Sequence, residues 1–326
     1  MYTLLKDLVK PLGVSGREGG VRAVIEETIA PYVDEVYTDA LGNLIAHKRG
    51  EEGSQKLMFA AHMDEIGFFV TDIDESGRVH FSNAGGINYA AAGFSEVVFE
   101  NGTRGILVAN SDTKSYTVEN TYVDIGARSR ADAARRVKTG DTFAVVSNLR
   151  RLSGSRVIGR PIDDRVGCAV LIEAAKRAGK SKYDIYYCFT VQEEVGCRGS
   201  KTAAYAIMPD LAVAVDVTGT GDTPGAPKMA VKLGGGAAIK IKDRSVICDP
   251  ALVDGMIEMC KSAGIKYQLE ILTAGGTDTS SMQSAGAGCR AGCISVPTRH
   301  IHTPTEMVDM NDVEACVALA VKIIEE

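Results

Sequence analysis

Five stretches of the chain place hard or borderline metal ligands at or just past the ends of predicted strands, where open α/β sheets build their sites. They are Ala61-His62-Met63-Asp64, Pro161-Ile162-Asp163-Asp164-Arg165, Gln192-Glu193-Glu194-Val195-Gly196, Ala214-Val215-Asp216-Val217-Thr218 and His300-Ile301-His302-Thr303-Pro304. A carboxylate two residues from His62 can accept the second ring N–H and make the imidazole a more basic ligand. Taken alone, the pair reads more simply as a strand-end histidine beside a solvated aspartate. Asp163 and Asp164 repel at close range unless positive charge lies between their oxygens. A metal pair bridged by one of them supplies that charge, and so does a surface ion pair with Arg165.

Adjacent glutamates can divide the labour of hydrolysis, one holding a metal and its neighbour acting as general base on a water that the metal acidifies. Glu193-Glu194 fits that division, with a solvated acidic corner as the plainer alternative. Asp216 ends the apolar run Leu211-Ala212-Val213-Ala214-Val215, where a carboxylate without a cationic or metallic partner is costly. His300 and His302 belong to a set of only 5 histidines, and just one of the two needs to face a site; His300 reads as structural.

Other chemistries find less support. The glycine-rich Gly219 to Gly225 lacks the Lys-Ser/Thr ending of a phosphate loop, and Gly234-Gly235-Gly236 precedes a strand instead of opening a helix after one. Ser280 and Cys197 have no nucleophile-elbow context.

The elements that must position these residues come in three blocks. Val21, Val24, Ile25 and Ile29 follow helical spacing after a short Leu4/Leu5/Leu8/Val9 helix. Strand-like runs at 33–38 and 43–47 flank the turn Asp39 to Gly42, and a third run at 56–61 stops at His62. Between about Ile66 and Val157 the texture changes to short β-rich pieces divided by Gly, Asn and Asp, the pattern of a small barrel or sandwich. Beyond it, buried-type strands at 185–191, 211–217, 237–241, 267–272 and 292–296 alternate with helical patterns at 167–178 and 250–263. That alternation predicts an α/β layer with a mainly parallel sheet flanked by helices. The last stretch, with Val313, Val317, Val321 and Ile324 on one face, predicts a packing helix capped by Asn311 and Glu314. The expected organisation is a catalytic domain from residues 1–66 and 157–326, interrupted by a β-rich insert over 67–156.

With 326 residues, 45 % hydrophobic and 24 % charged, the chain has an ordinary globular composition. Its net charge of −6, with no basic run longer than Lys48-Arg49 or Arg135-Arg136, gives no nucleic-acid footprint. The N-terminus has no charged leader before an apolar stretch, and no segment approaches the ~18 apolar residues of a membrane span. The cytoplasm is the expected location, and the 8 scattered cysteines read as reduced thiols there. The sequon Asn101-Gly102-Thr103 then carries no weight.

As a set, the motifs resemble metallopeptidase family 42, the glutamyl and tetrahedral aminopeptidases, which include chains once labelled endoglucanases. Besides the stretches around His62, Asp163, Glu193 and His302, the resemblance takes in Gly13-Val14-Ser15-Gly16, Asp39-Ala40-Leu41-Gly42-Asn43-Leu44, Glu65-Ile66-Gly67, Gly275-Gly276-Thr277-Asp278 and Pro297-Thr298-Arg299. It implies two divalent metal ions per subunit, zinc or cobalt, with manganese as a third option. His62 and Asp216 would hold one, Glu194 and His302 the other, and Asp163 would bridge them. Glu193 would be the general base, and Asp64 would orient His62. The resemblance also implies a cis Asp163-Asp164 peptide, short peptides with a free N-terminus as substrates, dimerisation through the insert and dimers building a dodecamer. The chain departs from the family pattern at Thr279-Ser280-Ser281 and at His300. Two rivals stand beside the aminopeptidase: a deacylase or other amidohydrolase using the same metals, and a non-catalytic metal-binding scaffold. A glycosidase gives no role to His62 or His302.

Overall fold

The computed structural model describes residues 1–109 and 117–326. Helices α1 (Tyr2–Leu8) and α2 (Gly19–Ile29) bury Leu5, Leu8, Val21, Ile25 and Ile29. Strands β1 (Glu35–Thr38) and β2 (Leu44–Lys48) form a hairpin. Its turn is tied by Asp39, whose Oδ1 accepts from the backbone N–H of Leu41, Gly42 and Asn43 at 3.0, 2.9 and 2.9 Å. Gly42 supplies the positive φ of 112° that this turn requires. Strand β3 (Lys56–His62) is buried almost throughout.

The chain then enters a closed barrel of β4 (Gly67–Ile73), β5 (Val79–Ala84), β6 (Glu96–Phe99), β7 (Arg104–Ala109), β8 (Thr121–Asp124) and β9 (Thr142–Val145). Short helices α3 (Tyr89–Ala92) and α4 (Arg130–Ala133) interrupt it. Inward-facing residues alternate along these strands, and the barrel fills with its own core. Phe143 is central to it, with ring centroids 4.8 Å from Phe68 and 4.7 Å from Phe99.

Strands β10 (Arg150–Arg151) and β11 (Arg156–Gly159) return to the large sheet and lead to α5 (Arg165–Arg177). Then come β12 (Asp184–Thr190), α6 (Arg198–Ile207), β13 (Leu211–Thr218), β14 (Ala237–Lys242), α7 (Pro250–Ala263), β15 (Tyr267–Ile271), α8 (Asp278–Gln283), β16 (Arg290–Arg299), β17 (Glu306–Asp309) and α9 (Met310–Glu325). The sheet order is β1-β2-β12-β3-β13-β16-β17-β11-β10, with β14 joined to β16 and β15 to β14. Strands β12, β3, β13 and β16 are mutually parallel, and the antiparallel pairs lie towards the edges. Helices α5 and α9 cover one face of this centre, α6 and α8 the other. The α/β reading with an inserted barrel is borne out.

Four features differ from the sequence expectation. Helix α9 is capped by Asp309, which accepts from the N–H of Asn311 at 3.0 Å, two residues before the cap that the sequence suggests. Helices α6 and α8 and strand β17 occupy stretches that the periodicity leaves unassigned. All 8 cysteines are free, as expected.

Candidate metal centre

Because β12, β3 and β13 run parallel, their C-terminal ends share one edge, and the chain delivers its acids and imidazoles there. His62 closes β3, Asp216 stands near the end of β13, Glu193 and Glu194 follow β12, and His302 follows β16. Asp163 enters from the segment between β11 and α5. Its Oδ1 lies 3.1 Å from His62 Nε2 and its Oδ2 lies 3.3 Å from His302 Nε2. His62 Nε2 is also 3.8 Å from Asp216 Oδ1 and 4.0 Å from Glu193 Oε2, and His302 Nε2 is 3.2 Å from Glu194 Oε2. Ligand atoms of His62, Asp164 and Asp216 fall within 4.8 Å of one another, as do those of His62, Asp163 and Glu194. The Asp163–Asp164 peptide is cis, as the resemblance implies, and Arg160–Pro161 is cis as well.

Asp164 is fully buried and takes a different part from Asp163. Its carboxylate caps α5 through Gly167 N–H at 3.0 Å and accepts from His62 N–H at 3.3 Å. Arg165 is no partner for either aspartate: its guanidinium donates to Met63 O at 2.8 Å, Leu8 O at 2.6 Å and Pro11 O at 3.2 Å. The surface acidic turn is therefore excluded. His300 is exposed.

Asp64 does more than orient a ring. His62 Nδ1 lies 3.1 Å from the Asp64 backbone carbonyl and 3.5 Å from its carboxylate. The carboxylate accepts from the Ser15 hydroxyl at 2.6 Å and from the N–H groups of Glu193 and Glu194 at 2.9 and 3.2 Å. It thus ties the end of β3 to the turn that carries the paired glutamates. Glu18 steadies the same turn by accepting from Gln192 N–H at 3.2 Å. Asn43 joins β2 to its far side, accepting from Val191 N–H at 3.0 Å and donating to Gly199 O at 2.9 Å.

Two further carboxylates were not singled out by the sequence. Glu306, buried, accepts from Ile162 N–H at 2.6 Å, Asp163 N–H at 3.0 Å and His302 N–H at 3.2 Å. Asp278, also buried, accepts from the hydroxyls of Thr190 at 2.5 Å and Ser200 at 2.6 Å. An acid four residues after His302 was a readable hint for Glu306; for Asp278 the sequence offers only its motif.

Asp64, Asp163, Asp164, Glu193, Glu194 and Asp216 set six carboxylates against the imidazoles of His62 and His302, so negative charge is in excess even with both rings protonated. Burial lifts Asp216 to about 7, with His62 opposing and Asp163 adding to the rise. Burial likewise raises Glu193 and Glu194. Burial works against protonated His302, yet hydrogen bonds to Asp163 and Glu194 lift it to about 11. Glu194 Oε1 is buried with no hydrogen-bond partner. Oxygen and imidazole donors that are buried, convergent and short of positive charge suit divalent cations.

The profile of the M42 glutamyl aminopeptidase family matches residues 42–319. The chain belongs to that family. It is an aminopeptidase, a hydrolase of peptide bonds, and membership of a metallopeptidase family implies divalent metal. This family member is 47 % identical over 327 residues to a putative aminopeptidase of Acetivibrio thermocellus, covering 99 % of this chain and 98 % of the relative. It is 33 % identical to a lysyl aminopeptidase of Pyrococcus furiosus, covering 100 % of this chain and 97 % of that one. Its fold matches the Pyrococcus horikoshii TET1 peptidase, which can assemble into a tetrahedron or a large octahedral shell. There the TM-score is 0.88 at 33 % identity over 99 % of each chain.

A cavity of about 390 Å³ opens beside the acids and imidazoles of this aminopeptidase. Gly275 and Gly276 line it, whereas Thr279, Ser280 and Ser281 do not. Those three belong to α8, where Thr279 is buried and Ser280 donates to Thr277 O at 3.1 Å. Among the described residues, no helix is long and apolar enough to cross a membrane.

Proposed function

We propose that this chain removes the N-terminal residue of short peptides at a co-catalytic pair of divalent ions, zinc or cobalt. His62 and Asp216 would hold one ion, Glu194 and His302 the other, with Asp163 bridging. The observation that carries this reading is the placement of Asp163, whose two oxygens face two different imidazoles at 3.1 and 3.3 Å. Asp164 is a poorer bridge, since backbone N–H groups occupy its oxygens. When bound, such ions supply Lewis acidity to the scissile carbonyl and lower the pKa of a reacting water.

The chain's own groups do the rest. Glu193, which lines the cavity, takes a proton from the attacking water and passes it to the leaving amine. The Asp64 clamp on its backbone holds the carboxylate in place for both transfers. A carboxylate-rich pocket receives the free α-amine, which confines cleavage to the first residue. The barrel, with its own core over 67–145, serves as the dimer contact within a catalytic unit formed by 1–66 and 157–326. A similar solved structure, a dodecamer of PhTET1, supports a dodecamer of such dimers, and the free cysteines suit the cytoplasm.

The test is metal analysis alongside turnover of free and N-acetylated peptides, with and without chelator. Two equivalents of metal and chelator-sensitive cleavage of free peptides only are expected; cleavage of acetylated peptides would make it a deacylase. In Glu193→Gln, kcat should fall about 100-fold or more with both metals retained. Near-normal turnover would remove Glu193 from the role of base.

A further inference from the structure

The cavity lining divides by chemistry into two sets. One is His62, Asp163, Glu193, Glu194, Asp216 and His302. The remainder is Val217, Thr218, Leu272 and Ile301 with four glycines and the thiol of Cys197. Among the described residues that line it, no lysine or arginine appears, and every carboxylate belongs to the first set.

Thr218 is tied to a buried ion pair outside the cavity lining. Lys240 on β14 contacts Glu270 on β15 and lies 3.4 Å from Asp243 Oδ2, all three at most 2 % exposed. Glu270 Oε1 accepts the Thr218 hydroxyl at 2.9 Å, so that hydroxyl is committed away from any substrate. Lys240, Asp243 and Glu270 do not line the cavity.

A first residue docked with its amine at the acids must place its side chain in this same space. A glutamate would bring a carboxylate to a wall without a cation. A lysine would bring an ammonium to Val217, Thr218, Leu272 and Ile301, none of which carries a carboxylate. Both leave a desolvated charge unpaired, which is the strongest form of discrimination a pocket can apply.

We propose that this aminopeptidase selects peptides whose first side chain is uncharged and aliphatic, of leucine or methionine type, with Thr218, Leu272 and Ile301 as the selecting wall. The proposal rests on the exopeptidase reading given above. It sets the chain apart from its lysyl-cleaving relative.

The experiment measures kcat/KM of the metal-loaded enzyme on leucyl, methionyl, lysyl and glutamyl p-nitroanilides, together with competitive inhibition by free leucine, lysine and glutamate. Leucyl and methionyl substrates should exceed the charged ones by about 100-fold, and free leucine should be the better inhibitor. Lysyl or glutamyl substrates turned over as well as leucyl overturn the proposal while leaving the exopeptidase intact. Turnover of none, with metal bound, defeats the exopeptidase reading itself. Leu272→Asp should raise the lysyl-to-leucyl ratio about tenfold at unchanged metal content; an unaltered ratio removes Leu272 from the wall, and for a variant that misfolds the inhibition series on the parent enzyme decides.

Discussion

Glu306 offers a direct probe of how the centre is held. Its Oε2 receives Ile162 and Asp163 N–H at 2.6 and 3.0 Å, and its Oε1 receives His302 N–H at 3.2 Å. Glu306→Gln keeps the shape but turns one oxygen into an amide NH2. With the remaining oxygen on Ile162 and Asp163, that NH2 opposes the His302 N–H, leaving one buried donor unmet at a cost of about 1–3 kcal/mol. Glu306→Ala strands all three donors; even with water admitted, the loss should reach about 3–5 kcal/mol. The stranded groups belong to the segments that present Asp163 and His302, so metal affinity should fall roughly 10–100-fold in Glu306→Gln. Urea unfolding of the metal-free proteins measures the first quantity, and competition with a chromophoric chelator measures the second. A Glu306→Ala protein as stable as the parent, binding metal equally well, would refute the argument that this carboxylate organises the ligand backbone.

Three further outcomes follow from other contacts. Asp64→Ala should lower kcat about 10–100-fold with little change in secondary structure, because Ser15, Glu193 and Glu194 lose one shared acceptor; circular dichroism and steady-state kinetics check it. Lys240→Met should cost about 3–5 kcal/mol by leaving Glu270 and Asp243 buried without their cation, and adding Glu270→Leu should recover at least part of that in urea unfolding. Asp222 is held at about 2 by Arg299, below the usual 3.8. Its contribution to stability is thus present above pH 4 and lost as pH falls through 2. As the pair is near the surface, Asp222→Asn should cost no more than about 1 kcal/mol at pH 7 and less than half of that at pH 2, read as urea midpoints at the two pH values.

Sequence reading went furthest where chemistry is rare and position is constrained. An aspartate at the end of an all-apolar strand stands out because desolvation makes it improbable without a partner. Asp216 was legible for that reason; His62, the paired glutamates, Asp163 and His302 took their roles from the resemblance, and the structure gathers all of them. Asp64 was legible as a neighbour of His62, but not as the acceptor for Glu193 and Glu194, because those donors are backbone groups brought near only by the fold. Glu18 was silent for the same reason, Ser15 was visible only as part of a motif, and Glu306 only through its spacing from His302. Helix α6 starts at Cys197, a left-handed residue with no side-chain cap, so no start signal marks it. Helix α8 is a six-residue stretch rich in Thr and Ser, which reads as a loop until its tertiary contacts are known.

The chain leaves the candidate metal centre at His62 and enters the barrel through Met63, Asp64, Glu65 and Ile66, every one of them at most 2 % exposed. Each has an occupation: Met63 O and Ile66 O accept from Arg165 and Arg160, Asp64 clamps the glutamates, and Glu65 accepts from Gly13 N–H. Such a junction has no slack in which an insertion could be absorbed. The barrel cannot be exchanged as an independent cassette at this crossing, and in any engineered or natural descendant it is inherited jointly with the catalytic edge to which it is spliced.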